Sequence, residues 1–165
     1  MIRAPIEHTA NLVLRGLGLV YLVAFASLGV QVLGLIGSEG ILPAVDTLEF
    51  VYDRIGRSGW WRMPTAFWFN ASDLALSSGC VVGVILGAGV LLGRFHTPGV
   101  LLLLWGLYLS FCSVGGVFLA YQWDSLLLEV GLVSVFLVGP QGAGSVLGIW
   151  LLRLLLFKLL LLSGL

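Results

Sequence analysis

Long apolar runs broken by short polar clusters set the rhythm of this chain. Spanning a bilayer as helix takes roughly 20 apolar residues, within a range of about 17–25. On that measure the sequence predicts five spans: Gly16–Gly37, Leu74–Gly93, Gly99–Tyr121, Ser125–Gly139 and Val146–Leu162, the fourth of them short. Basic residues precede the first run, as in a secretory signal. The run is too long for a signal core and no small-x-small cleavage pattern follows, so it reads as a retained helix. Four of the spans are joined by tight turns, "RFHTP" (Arg94–Pro98), "QWD" (Gln122–Asp124) and "PQGAGS" (Pro140–Ser145), which imply antiparallel neighbours.

The exception is Ser38–Asp73, which holds half the charged residues: Glu39, Asp46, Glu49, Asp53, Arg54, Arg57, Arg62 and Asp73. Trp60, Trp61, Phe67, Trp68 and Phe69 cluster toward its end. Aromatic rings with one polar edge collect at membrane interfaces, so this loop is expected to lie partly along the bilayer surface. A short amphipathic helix is legible over Leu48–Ile55. Basic residues divide evenly between the two sides, and a cytoplasmic N-terminus is the orientation chosen, which puts Leu165 outside.

Composition agrees with the pattern. The chain is 59% hydrophobic, has a mean hydropathy of +1.10 and is only 10% charged, against about a quarter in a soluble domain. The fold class expected is therefore all-α, a polytopic transmembrane bundle of about five helices forming a single domain over residues 1–165, with a long loop between helices 1 and 2. Zero net charge gives no reason to invoke nucleic acid. Cys80 and Cys112 stand alone in separate runs, with neither a CxxC nor a neighbouring His, and suggest two small packed residues rather than a disulfide or zinc site. No cofactor is expected.

Gly79, Gly83 and Gly87 recur at four-residue spacing, with Gly89 and Gly93 behind them. Small residues at this spacing let another helix approach closely. Packing within the chain is the first reading and a homodimer face the second. Gly144 and Gly148 repeat the spacing once.

The segment "AYQWDSLLLEVG" (Ala120–Gly131) places Gln122, Trp123, Asp124, Ser125 and Glu129 between apolar runs. Asp124 sits where it would serve as N-cap of the fourth span. Glu129 lies inside that span, where an ionised carboxylate is expensive and needs a partner. If spans four and five are antiparallel, Lys158 lies at a matching depth, and Arg153 is deeper. A buried Glu129–Lys158 pair is expected, with Arg153 contributing. No nucleophile–base–orienter set, phosphate-cradling loop or metal cluster accompanies these residues, so structural pairing is preferred to catalysis. His96 reads as interfacial and His8 as part of the tail. Asn70-Ala71-Ser72 fits a glycosylation sequon but abuts the membrane.

"YQWDSLLLEVG" (Tyr121–Gly131) resembles the signature of the lipase maturation factor family, membrane proteins related distantly to the vitamin K-dependent carboxylase group. "FASLGVQVLGLIGSEGILPA" (Phe25–Ala44) is similar to that family's first span and its exit, and "PTAFWFNASD" (Pro64–Asp73) to the approach to its second. "LLLLWGLYLSFCSVGGVF" (Leu101–Phe118) resembles its third span and "WLLRLLLFKLLLLSGL" (Trp150–Leu165) its fifth. The resemblance implies a non-enzymatic assembly factor that helps lipases or other exported clients to an active fold. It would reside in the endoplasmic reticulum membrane of a eukaryote, or the inner membrane of a bacterium. Two departures stand out: the family continues into more spans and a C-terminal domain, so this chain reads as a fragment or a truncated relative, and the family typically has Arg at the Lys158 position. The alternative is a membrane enzyme or redox-coupled protein like the carboxylase relatives. A transporter subunit ranks last, for want of broken-helix pairs.

Overall fold

The computed structural model describes residues 3–139 and 142–163. Helix α1 (Arg3–Ile36) is followed by an excursion made of α2 (Ala44–Ile55), the short α3 (Gly59–Arg62) and 3-10 turns at Gly56–Ser58 and Ala66–Trp68. Then come α4 (Asp73–Leu91), α5 (Pro98–Gly115, continued by a 3-10 turn to Leu119), α6 (Gln122–Val135) and α7 (Val146–Ser163). Between α6 and α7 two-residue strands, β1 (Val138–Gly139) and β2 (Gly142–Ala143), pair antiparallel. Pro140 and Gln141, in the turn expected there, lie outside the described residues, as does Leu165.

Three segments among the described residues are long and apolar enough to cross a membrane: Glu7–Ile36, Asp73–Leu91 and Pro98–Leu119. Five were expected from the sequence, and these three are the ones that length and composition show. At 1.5 Å per residue, the 14 residues of α6 reach only about 21 Å, short of a hydrocarbon core about 30 Å thick. The expected fourth span is also displaced. It starts earlier, at Gln122, because Tyr121 N–H bonds Asp124, and it ends earlier, at Val135, where the chain turns into β1. Helix α7 carries both Arg153 and Lys158 within its 18 residues. The first helix is longer than the apolar run, beginning at Arg3 rather than Gly16.

The long loop is largely ordered into helix, and its amphipathic element is wider than Leu48–Ile55. Asp46 lies in the first turn of α2 and Arg54 in the last, matching the helix dipole, while Ala44 and Leu48 form its buried side. Both ends of the excursion are fastened. Ser38 donates to Asp73 through N–H (2.7 Å to Oδ1) and Oγ (2.7 Å to Oδ2). Nearer α5, Ser110 Oγ accepts from Ala66 N–H at 3.0 Å, and Thr65 Oγ1 donates to the Ser110 carbonyl at 3.1 Å. These bonds seat Phe67 on Phe111, ring centroids 4.9 Å apart.

The glycines of α4 serve packing inside the chain. A Cβ at Gly83 would overlap the Phe25 ring, and one at Gly87 would stand 2.8 Å from Leu22 N. The approach is mutual, since a Cβ at Gly18 of α1 would stand 2.5 Å from Leu91 N. Gly79 faces elsewhere, toward Phe111 of α5. Gly148 of α7 is likewise pressed on Leu137. At the opposite end, the turn between α4 and α5 uses positive φ at Gly93 (75°). His96 ties that turn to α1, its Nε2 2.9 Å from the Val90 carbonyl and Nδ1 3.2 Å from Asn11 Oδ1. Thr97 then caps α5, accepting from Val100 N–H, with Pro98 at the first helical position where no partner is lost.

Candidate functional site

Helix α6 sorts its polar residues onto two faces. Asp124, Leu127, Gly131 and Ser134 are buried and follow the three-four spacing of one helical stripe. Asp124 is not the N-cap expected. It is the third helical residue, with Tyr121 in the cap position, and its Oδ2 accepts from Tyr121 N–H at 3.3 Å. Its other oxygen accepts from Tyr108 Oη at 2.6 Å. The carboxylate therefore has a hydroxyl partner on α5 and a backbone partner at its own helix start, which offsets much of the cost of burying it.

Tyr108 escaped the sequence reading. The available signal was periodicity: Leu101, Leu104, Tyr108 and Phe111 form the buried stripe of α5, and a tyrosine on such a stripe needs somewhere to put its hydroxyl. Its ring is also the hub of an aromatic cluster, with edge contacts to Tyr21 at 5.9 Å and Phe25 at 5.5 Å. Tyr21 Oη is buried against Gly131, and it and Ser134 Oγ have no hydrogen-bond partner among the described residues.

On the other face of α6, Gln122, Ser125 and Glu129 line a groove of about 200 Å³ with Lys158 and leucines of α6 and α7. Lys158 Nζ donates to Glu129 Oε1 at 2.5 Å. The pair is not buried as expected: the side chains remain 52% (Lys158) and 41% (Glu129) exposed. Arg153 does not join it. Five residues of helix separate it from Lys158, a rotation of about 140° at 3.6 residues per turn, and its guanidinium lies 5.4 Å from the Trp150 ring centre instead. Trp123 stacks on Tyr121 at 4.7 Å, away from the groove. Of the residues singled out from sequence, the structure thus gathers Gln122, Ser125, Glu129 and Lys158, turns Asp124 inward, and leaves Trp123 and Arg153 apart.

Apolar spans packed through glycine, with carboxylates held by named partners, define a membrane-embedded helical protein. The family model for the lipase maturation factor transmembrane domain matches residues 8–165. The chain belongs to the lipase maturation factor family. It is 42% identical over 179 residues to lipase maturation factor 2 of Rattus norvegicus, covering 93% of this chain and 25% of that protein. Identity to the Homo sapiens protein of the same name is 42% over 180 residues, again with 93% and 25% covered. Lipase maturation factor 1 of Bos taurus is 31% identical over 172 residues, covering 95% of this chain and 31% of that protein. The chain thus spans about a quarter of the length of the factor 2 relatives. No solved structure matches it significantly.

Proposed function

We propose that this chain is the membrane part of a factor that helps lipases, or other exported clients, reach an active fold. The observation that carries this reading is the family match running from residue 8 to residue 165. The role is that of a scaffold rather than an enzyme. One domain of five membrane helices, α1 and α4–α7, anchors the excursion at the bilayer surface, with the hairpin after α6 completing the crossing that α6 alone is too short to make. The N-terminus lies in the cytoplasm and the excursion in the lumen of the endoplasmic reticulum. Asp124 and Glu129 fix the geometry of α6 against α5 and α7, supported by their contacts with Tyr108 and Lys158. A homodimer would use a face other than the Gly83–Gly87 stripe, which α1 occupies. No observation favours the carboxylase-like alternative.

The test is co-expression of the full polypeptide with a secreted lipase, comparing the parent with Asp124→Asn and Glu129→Gln. The expected result is less active lipase per unit of factor in the membrane. Unchanged lipase activity and unchanged factor abundance in both variants would remove these residues from the mechanism.

A further inference from the structure

The excursion forms an open surface cavity of about 470 Å³ that the scaffold role does not use. Trp60, Phe67, Trp68 and Phe69 line it on one side, and Glu49, Tyr52 and Asp53 of α2 on the other. The aromatic wall is built rather than incidental. Trp60 and Trp68 stack at 5.8 Å with planes 6° apart, and Phe69 meets Trp60 edge-on at 5.4 Å. Trp68 is held by donating its indole N–H to the Met63 carbonyl at 2.9 Å. Gly59 lets this wall close on α2, since a Cβ there would stand 3.1 Å from Val51 and 3.3 Å from Trp68.

Glu49 and Asp53 stand one turn apart on α2, and neither carboxylate has a hydrogen bond or ion pair among the described residues. The nearest basic residue in sequence, Arg54, is turned to Phe50, 4.9 Å from its ring centre. The cavity therefore combines π faces with two carboxylates that have no hydrogen-bond or ion-pair partner among the described residues. Ring quadrupoles and carboxylates both attract cations, and a wall of aromatic faces is the surface that recognises a quaternary ammonium. The position selects the source. The excursion leaves α1 and enters α4 at one level, fixed by the Ser38–Asp73 bonds, so the cavity lies at the ends of two membrane spans, where lipid headgroups are found.

We propose that this cavity binds the choline headgroup of a membrane phospholipid. The experiment is calorimetric titration of the full polypeptide, in maltoside micelles, with short-chain phosphatidylcholine, chain-matched phosphatidylethanolamine, free choline and a lysine-rich peptide. Phosphatidylcholine is expected to bind at least about tenfold more tightly than phosphatidylethanolamine and free choline. The paired substitution Glu49→Gln with Asp53→Asn should lose at least about tenfold of that affinity while circular dichroism and the thermal transition stay unchanged. Trp60→Leu, which keeps an apolar side chain but removes the π face, should erase the preference for choline over ethanolamine; if that variant does not fold, the carboxylate pair decides. Equal affinity for the two lipids, or no loss in the carboxylate variant, overturns the proposal. Free choline binding as tightly as the lipid overturns the lipid source, and tighter binding of the peptide overturns it in favour of a protein partner.

Discussion

Asp124 and Tyr21 are opposite cases of a polar group in an apolar interior. Asp124 is held by the Tyr108 hydroxyl and the Tyr121 N–H, whereas the Tyr21 hydroxyl has no partner among the described residues. Losing a partner to a buried charged group costs more than losing a hydroxyl that bonds nothing. Tyr108→Phe should therefore destabilise the chain by about 1–3 kcal/mol, and Tyr21→Phe should leave it unchanged or slightly more stable. Thermal unfolding of both variants in one detergent checks the contrast; equal losses would contradict it. At this scale the sequence exposes costs but not their remedies. A carboxylate between apolar runs announces a need for partners, and reading Asp124 as a cap located the helix start to within a few residues. That its main partner is Tyr108, 16 residues earlier on another helix, depends on how α5 and α6 pack.

Helix pairing in this chain rests on where glycine is and is not required. Gly18 and Gly87 face backbone of the opposite helix, while a Cβ at Gly16 would meet nothing within 4 Å. Gly16→Ala should raise stability by about 0.5–1 kcal/mol through helix propensity alone, and Gly87→Ala should lower it by about 1–3 kcal/mol through overpacking. Stability in detergent separates the two, and losses of equal size would refute the assignment. The four-residue glycine spacing was legible, but its target was not. Four residues advance a helix by about 400°, so the stripe drifts by about 40° per step and turns from α5 at Gly79 to α1 at Gly83 and Gly87. A periodicity within one helix cannot name two neighbours. The same arithmetic explains why Arg153, at a plausible depth, is rotated away from Lys158.

For the molecule as a whole, the Glu129–Lys158 pair reports on what surrounds it. Both side chains are half exposed in the chain taken alone. An exposed ion pair in water is worth about 0.2–1 kcal/mol, whereas breaking a dry one costs about 3–5 kcal/mol. A double-mutant cycle with Glu129→Gln and Lys158→Met in the full polypeptide should give a coupling near the dry value if lipid or further helices cover the groove. Folded yield should then fall in the single Glu129 variant and partly recover in the double; additive losses would mean that the two charges act independently. The depth match behind the pairing was available from sequence, because antiparallel order and rise per residue suffice. The bounds of the fourth helix were not, because apolar composition marks what tolerates lipid without saying where backbone bonding stops, and α6 ends at Val135.

The fastening of Ser38 to Asp73 has a further consequence. Two hydrogen bonds join residues 35 positions apart, while α1 and α4 are locked together through Gly18, Gly83 and Gly87. The polypeptide between them is therefore not what holds those helices side by side. The excursion behaves as a cassette: its backbone could be severed at an exposed point and the membrane helices would still find each other, so the chain should be assemblable from two separately made pieces.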